Sequence, residues 1–378
     1  MVRIQHVPSQ NSTTPKPDDD PWYLQGPCQE WIDFCRVHGI PWCGMSSPDD
    51  ECPFPDEFDE KITGAWTRGA QEEKKQKNYE VTVKISNLSI PRADEPNNPI
   101  PIRAYYPIAY YTQRGFAEPL PLYIHFRGGG FMCGNLDTED AICAAMVSHL
   151  TSTCPIIVIS VQYGSVLDAE YPQMFHDAWY VYEYMQKKID AFGGDPNRVV
   201  LGGEDSGAMI ALWVAMFAKK TDAVLMKHNK FKINIVGLVL TTPWFPHMDD
   251  ETSAEGEVSR YQCWTAPFLP LYIHQLYRDF LDLKTLSDMS QFVIGKCSDF
   301  SGLPKTFILV AGQSLLRDQA VRLARYLQNA GVELLIRMVA GMPHDFRRVY
   351  ALDASELANA DVEDAVRWIL NLPTLFQE

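Results

Sequence analysis

The sequence predicts an α/β fold in which a mostly parallel sheet is covered by helices on both faces. From about residue 79, short runs of β-branched and aromatic residues alternate with longer amphipathic stretches. The strand-like runs are almost continuously apolar, as expected for strands that are buried on both faces. A chain of 378 residues, 46% of them hydrophobic, is also large enough to bury one big core.

Eight strands and five helices are predicted in this part of the chain. The strands are expected near 79–87, 101–106, 121–126, 156–161, 198–202, 235–241, 306–311 and 333–339. The helices are expected near 138–152, 173–191, 206–220, 317–330 and 360–371. The regular alternation places the strands in one sheet, with the helices as crossover connections.

Three regions of the chain differ in composition. Residues 1–20 are polar and rich in proline, which predicts a disordered tail. Residues 21–78 are rich in tryptophan, proline, cysteine and acidic residues, which predicts short helices and irregular turns that form an N-terminal cap. Residues 79–378 form the predicted core. Within it, the aromatic-rich stretch at about 243–303 is predicted to be a lid, because so long a connection is uncommon in a compact domain.

The charge balance limits the classes of partner. A net charge of -15 repels nucleic acid and anionic membranes. The nine cysteines show no C-x-x-C pair, and no apolar run has the length of a signal sequence or a membrane span. We therefore expect a cytoplasmic protein with reduced thiols, with no nucleic-acid partner and no membrane insertion. Formation of a homodimer is left open.

An aspartate stands at the apex of a motif that normally carries a serine. Residues 195–208 read as a short buried strand, a sharp turn and the start of a helix. In the G-x-S-x-G frame of such a turn, glycines lie two residues on either side of the nucleophile, and here Gly203 and Gly207 flank Asp205. Ser206 comes one residue too late for this frame. The sequence thus predicts an active-site turn that lacks the usual hydroxyl.

Five segments carry a resemblance to a known family. They are 102–107, 128–131, 195–207, 316–318 and 341–346. In this order they resemble the hormone-sensitive-lipase and plant-carboxylesterase branch of the α/β-hydrolases, over about residues 80 to 378. The resemblance implies an eight-stranded hydrolase core with caps from the N-terminal segment and from an insertion after the sixth strand.

The departures from that family concern the catalytic residues themselves. Counted from the neighbouring motifs, the acid of the catalytic triad falls on Ser314, and the histidine that opens the family's HGGG motif falls on Arg127. The nucleophile position holds Asp205, so that only His344 remains of the Ser, Asp and His triad. The resemblance therefore implies the fold of an ester hydrolase with a degenerate triad.

Three functions are compatible with this residue set. In the first, Asp205 and His344 form an acid–base dyad, because a carboxylate at the serine position lies within reach of the imidazole and favours its charged form. Such a dyad suits cyclisation, dehydration, condensation or isomerisation of a hydrophobic small molecule in a closed chamber, as in natural-product tailoring.

The other two functions come from relatives in the superfamily. In the second, Asp205 attacks a saturated carbon, as in the similar epoxide hydrolases and haloalkane dehalogenases, and Asp249 or Asp250 orients His344. In the third, the chain is an inactive receptor that holds a small molecule under its N-terminal segment, as the similar plant gibberellin receptors do. Those receptors lose the histidine, and the retention of His344 here favours proton transfer.

The remaining site residues are assigned by their place in the motifs. Gly128 and Gly129 are expected to point backbone N–H groups into the site as an oxyanion hole or a clamp for a ligand carbonyl, with a merely structural turn as the alternative. Arg127 is expected to pair with a nearby acid, with a contact to a substrate carboxylate or enolate as the alternative.

The last candidate site residues are two serines, and no cofactor motif accompanies them in the sequence. Ser206 is expected to point into the first helical turn, with a displaced nucleophile as the alternative. Ser314 is expected to be inert, with a hydrogen bond to His344 as the alternative. No cofactor is expected, because residues 128–130 lack the G-x-G-x-x-G spacing and no His, Cys or Glu cluster has metal-ligand spacing.

Overall fold

The structure is a computed structural model that describes most of the predicted core. The described residues are 26–39, 55–92, 95, 97–112, 115–116, 118–167, 172–225, 233–245, 259 and 299–374. The predicted tail at 1–20 lies outside them. Of the predicted lid at 243–303, only 243–245, 259 and 299–303 are described.

A single eight-stranded sheet organises the described part of the chain. The strands are β1 (Val83–Ile90), β2 (Ile100–Pro107), β3 (Tyr111–Thr112), β4 (Gly115–Phe116), β5 (Leu120–Phe126), β6 (Ile157–Val161), β7 (Gly194–Glu204), β8 (Ile235–Thr241), β9 (Lys305–Ala311) and β10 (Leu334–Val339). The large sheet has the order β1-β2-β6-β5-β7-β8-β9-β10, and β3 pairs with β4 in a small ribbon that was not predicted. Strand β2 is antiparallel to β1 and β6, and the remaining neighbours are parallel. The predicted fold class is confirmed.

Helices cover both faces of this sheet. They are α1 (Gln29–His38), α2 (Pro55–Lys77), α3 (Asp140–Leu150), α4 (Gln173–Lys188), α5 (Ser206–Leu225), α6 (Arg317–Asn329) and α7 (Asp353–Ile369). One apolar core joins the sheet to α4, α5 and α6, and a second joins it to α1, α3 and α7. Successive residues of a strand alternate between the two cores, as Ile124 and Tyr123 of β5 do.

Several predicted boundaries were wrong. Residues 79–81 form a short 3₁₀ helix, so the first strand begins at Val83 and not at 79. The last helix begins at Asp353, seven residues before the predicted start, and the acidic side chains in its first turn complement the helix dipole.

The N-terminal segment also contains a longer helix than predicted. Helix α2 spans 23 residues, where only short helices and turns were expected. It begins with Pro55, which fits the first turn of a helix because that turn needs no backbone N–H donor. Trp66 and Ala70 of this helix are buried. Among the helices that the structure describes, none has the length and apolar composition needed to cross a membrane.

Candidate active site

The turn between β7 and α5 places Asp205 in a strained but tolerated conformation. The φ angle of Asp205 is 51°, in the left-handed region that aspartate visits more readily than most residues. A Cβ atom on Gly203 would lie 2.5 Å from the carbonyl carbon of Gly207, and one on Gly207 would lie 2.0 Å from the oxygen of Phe126. Both glycines are therefore required by the close approach of strand and helix.

One oxygen of the Asp205 carboxylate is held by two backbone N–H groups. Gly130 N donates to Oδ2 at 2.7 Å, and Gly129 N donates to the same oxygen at 3.3 Å. The side chain is 7% exposed. Burial raises the pKa of the Asp205 carboxyl above its usual value; the His344 charge opposes this effect, and the Asp345 charge adds to it.

Every N–H group of the glycine turn 128–131 donates to an acceptor within the protein. Gly128 N donates to Glu139 Oε1 at 2.9 Å. The prediction that this N–H group points into the site was therefore wrong. Phe131 N donates to Ser206 Oγ at 3.2 Å. With the two donors to Asp205, these bonds fill the place where a substrate oxyanion would bind in an ester hydrolase.

His344 is buried beside Asp205, and its two ring nitrogens have different surroundings. Nδ1 lies 3.0 Å from Ser314 Oγ, so the alternative predicted for Ser314, a hydrogen bond to His344, is present. Nε2 lies 3.9 Å from Asp205 Oδ1 and 3.6 Å from Asp345 Oδ1. Within the described part of the chain, Nε2 has no hydrogen-bond partner although the residue is only 1% exposed.

The Ser314 hydroxyl affects the tautomer of His344. Its oxygen accepts from Leu316 N at 3.0 Å and can donate its hydrogen to Nδ1. An imidazole that accepts at Nδ1 carries its proton on Nε2, on the side of Asp205. In a triad with aspartate at this position, the carboxylate instead accepts from Nδ1–H and leaves Nε2 as a base. In the neutral imidazole the serine therefore favours a hydrogen-bond donor at Nε2, and when both ring nitrogens are protonated the Ser314 oxygen can accept from Nδ1–H.

A buried ion network supports the site from behind. Its members are His125, Glu139, Glu204, Asp345, Arg347 and Arg348. Glu139 accepts from Arg348 and pairs with His125, and Arg348 also donates to Asp345. Burial alone would raise the pKa of Glu139, but the charges of Arg348 and His125 and their hydrogen bonds hold it below its ordinary value.

Arg127 is bonded to backbone groups around the site. Arg127 donates to the backbone oxygens of Gly128, Cys133 and Tyr163, and its guanidinium lies 4.4 Å from the centre of the Tyr163 ring. The predicted pairing of Arg127 with an acid is not found among the described residues, because Glu139 binds Arg348 and His125 instead.

Ser206 is also bonded to groups around the site. Its Oγ, besides accepting from Phe131 N, lies 3.2 Å from Tyr163 Oη, and the residue is fully buried. The hydroxyl is thus engaged away from His344, and its described partners lie in the segments after β5 and β6 and not in the first turn of α5, where it was expected to point.

Helix α2 packs on two parts of this site. Thr63 Oγ1 accepts from Gly134 N at 2.8 Å, just after the glycine turn. The Trp66 ring lies 4.2 Å from the Arg348 guanidinium, a distance at which a cation–π contact forms. The predicted orienting residues Asp249 and Asp250 lie outside the described residues.

Sequence reasoning missed Glu139, Gly130, Asp345 and Arg348. Gly130 was within the recognised glycine motif and could have been assigned from its position. Glu139 and Arg348 are distant in sequence and showed no pattern, because their pairing depends on how α3 and the His344 loop meet.

Comparison with known proteins agrees with this geometry at the level of the fold. The sequence matches the α/β-hydrolase fold family over residues 123–348. It is 26% identical over 266 residues to the versiconal hemiacetal acetate esterase of Dothistroma septosporum, covering 69% of this chain and 77% of that protein. It is also 26% identical over 248 residues to carboxylesterase NlhH of Mycobacterium tuberculosis, covering 65% of this chain and 71% of that one.

A solved structure is similar over almost the whole chain. The vibralactone cyclase structure superimposes with a TM-score of 0.75 and 17% identity, covering 98% of this chain and 99% of that chain. At this identity the likeness shows the fold alone, and the chemistry has to be argued from the site.

Proposed function

This chain belongs to the α/β-hydrolase fold family, in its carboxylesterase and hormone-sensitive-lipase-like branch, and we propose that its chemistry is not ester hydrolysis. We propose that it acts on a hydrophobic small molecule by acid–base catalysis, with Asp205 and His344 as the catalytic dyad. Cyclisation, dehydration, condensation and isomerisation are the reaction types that such a dyad serves.

The observation that carries this proposal is the arrangement of the two side chains. Oδ2 of Asp205 is fixed by Gly129 and Gly130, and Oδ1 faces Nε2 of His344 at 3.9 Å, a nitrogen that has no hydrogen-bond partner among the described residues. The gap is too long for a direct hydrogen bond, and a small group between the two atoms can bond to both. A base and an acid are thereby presented to one substrate position.

Ordinary ester hydrolysis lacks two of its requirements here. The attacking hydroxyl is replaced by Asp205. Attack of a carboxylate on an ester would give a mixed anhydride, an intermediate that offers no catalytic advantage over the ester itself. Asp205 Oδ2 occupies the N–H groups of Gly129 and Gly130, so neither of them is free to stabilise a tetrahedral intermediate.

A second candidate function is favoured by one specific observation. A carboxylate with one oxygen in the oxyanion hole and the other free is also the geometry of an aspartate nucleophile that attacks a saturated carbon. However, alkylation neutralises Asp205, and His344 must then activate water with only the uncharged Ser314 on Nδ1. The nearby Asp345 is already bonded to Arg348, so the acid–base function remains the better supported one.

The test compares the two variants His344→Ala and Asp205→Ala on the true substrate. Under acid–base catalysis, each variant abolishes conversion while ligand binding and the fold are retained. Under nucleophilic catalysis, His344→Ala accumulates an alkyl ester on Asp205, which intact-protein mass spectrometry detects. Such an adduct would replace the first function by the second, and binding without any conversion by the wild-type protein would indicate a receptor.

A further inference from the structure

The occupied oxyanion hole points to the chemical group that this site takes. We infer that Asp205 Oδ1 and His344 Nε2 bracket a hydroxyl group of the substrate, and that the reaction is the loss of that hydroxyl as water. The inference deepens the proposed acid–base function and rests on it for the reaction step, while the binding preference rests on the geometry alone.

The backbone donors of the glycine turn are already occupied. The N–H groups of residues 128–131 all donate to acceptors within the protein, namely Glu139, Asp205 and Ser206. A substrate carbonyl or an enolate would therefore find no free N–H group at residues 128–131, where this fold normally stabilises its negative charge. Reactions that pass through an oxyanion or an enolate at this turn are disfavoured.

The distance between Asp205 Oδ1 and His344 Nε2 fits one hydroxyl oxygen. A hydroxyl oxygen that lies about 2.8 Å from each partner spans two atoms that are 3.9 Å apart, with a bond angle near 90°. The hydroxyl donates its hydrogen to Oδ1 and accepts from Nε2–H. A carbonyl oxygen can only accept, so it would face Oδ1 with a repulsive contact.

Asp205 differs from the other buried carboxylates of the site in its charged partners. Glu139, Glu204 and Asp345 are each bonded to a buried arginine. The described contacts of Asp205 are instead with backbone N–H groups and with His344. Its negative charge is therefore available to stabilise positive charge on a reacting carbon, which is the charge that develops when a hydroxyl leaves.

The reaction step balances without a co-reactant. His344 reacts in its protonated form, with Nδ1–H donated to Ser314 Oγ. Nε2 gives its proton to the hydroxyl oxygen as the C–O bond breaks, so that water and a neutral imidazole are formed. Oδ1 of Asp205 takes a proton from the neighbouring carbon, and the electrons of that C–H bond form the C=C bond. The water that lies between the two side chains then returns the proton from Asp205 to His344, which restores the dyad.

The preference of the site for a hydroxyl over a carbonyl oxygen is tested by equilibrium binding of three probes that each carry an aromatic ring. The full chain with ¹⁵N-labelled histidine is titrated with 1-phenylethanol, acetophenone and phenylboronic acid, and His344 is assigned by loss of its signals in His344→Gln. We expect the alcohol to shift the His344 resonances and to bind at least about tenfold more tightly than the ketone, since one charge-assisted hydrogen bond distinguishes them. The boronic acid, which mimics an oxyanion, is expected to bind more weakly than the alcohol.

The variant Asp205→Asn, with a matched control, tests whether the Asp205 carboxylate causes the preference for the alcohol over the ketone. Asparagine keeps an oxygen for the N–H groups and turns an N–H donor toward His344, so the alcohol-to-ketone preference should fall at least about tenfold. Asp299→Asn makes the same change at an exposed residue and should leave the preference unchanged. Tighter binding of the ketone or the boronic acid, an unaltered preference in Asp205→Asn, or no shift with the alcohol at its solubility limit would each overturn the inference. Failure of the acid–base function shows differently, as conversion that survives in His344→Ala.

Discussion

At the residue scale, the backbone and the side chain of Asp205 are fixed by different parts of the chain. The elbow glycines hold its φ angle in the left-handed region, and the glycine turn holds Oδ2. Fixing a buried carboxylate in this way costs stability, because burial disfavours the charged form. Side chains whose pKa is shifted at a cost in folding stability are common in active sites.

The raised pKa of Asp205 gives a prediction for stability. A carboxyl whose folded-state pKa is raised stabilises the fold below its unfolded pKa, and this contribution is lost as pH rises through the folded pKa. Asp205→Asn, which cannot ionise, should therefore raise the Tm by a few degrees at neutral pH, and the gain should shrink as the pH approaches 4. Thermal unfolding at several pH values measures it.

The surface variant Asp299→Asn provides the control for this experiment. Asp299 is exposed and pairs with Lys219, and its hydrogen bonds to Ser301 lower its pKa. Its replacement should not raise the Tm at neutral pH. A Tm of Asp205→Asn that is equal to the wild-type value at every pH would contradict the argument from burial.

Restoring the serine alone should not restore an esterase. Asp205→Ser supplies a hydroxyl and empties the oxyanion hole, but Ser314 still places the proton of His344 on Nε2, where a base is needed. Loss of the correct tautomer in a serine triad lowers kcat by about 10⁴. We expect Asp205→Ser with Ser314→Asp to hydrolyse aryl acetates at least about a hundredfold faster than Asp205→Ser. Equal rates for the two variants would show that Ser314 does not take the place of the triad acid.

The sequence was sufficient to predict which residues meet, but not how they are bonded. The spacing of the elbow glycines and the order of the motifs predicted that Asp205 and His344 lie together. The direction of a guanidinium is not encoded in such spacing, and Arg127 bonds to carbonyl groups instead of an acid. The catalytic roles of these residues stay predictions.

At the element scale, the site is where three loops meet: the glycine turn after β5, the elbow after β7 and the loop that carries His344. Glu139 connects two of them, because it accepts from Gly128 N of the glycine turn and from Arg348 of the His344 loop. Sequence periodicity predicts the strands on which these loops are carried, since it depends on burial. It does not predict contacts between loops, which depend on the register of the finished sheet.

Replacing Glu139 should therefore destabilise both the glycine turn and the His344 loop. Glu139→Gln keeps the shape but removes the charge that pairs with Arg348 and His125, and breaking a buried pair costs about 3–5 kcal/mol of the free energy of unfolding. Because the folded-state pKa of Glu139 is lowered, its contribution is present above its ordinary value of 4.5 and is lost as pH falls below it. Urea unfolding at pH 7 and pH 3 should show the larger deficit at pH 7.

A second glutamate offers a matched control. Glu356 is exposed and lies 3.8 Å from Lys77, so Glu356→Gln should change the free energy of unfolding by less than about 1 kcal/mol. If Glu139→Gln is no more destabilised at pH 7 than Glu356→Gln, the network does not hold the loops as argued.

At the scale of the whole molecule, both N-terminal helices are in contact with loops of the site. Helix α2 contacts the glycine turn through Thr63, and α1 contacts the His344 loop through a hydrogen bond from Cys28 N to Gly341 O at 3.0 Å. The sheet could be predicted from its apolar runs, whereas the long helix α2 was missed because the tryptophan, proline, cysteine and acid content of 21–78 indicated only short helices and turns. The N-terminal segment is thus tied to the core by specific contacts among the described residues.

The contact of α1 with the core leads to a prediction for Trp31. This side chain is fully buried and belongs to the same core cluster as Met342 and Phe346, on either side of His344. Trp31→Ala should lower the free energy of unfolding by about 3–5 kcal/mol, as expected for truncating a buried aromatic residue. Val37 lies on the same helix and is 79% exposed, so Val37→Ala should change it by less than about 0.5 kcal/mol. Chemical unfolding of both variants measures the difference, and equal stabilities would mean that α1 is only loosely attached and does not support the loop of His344.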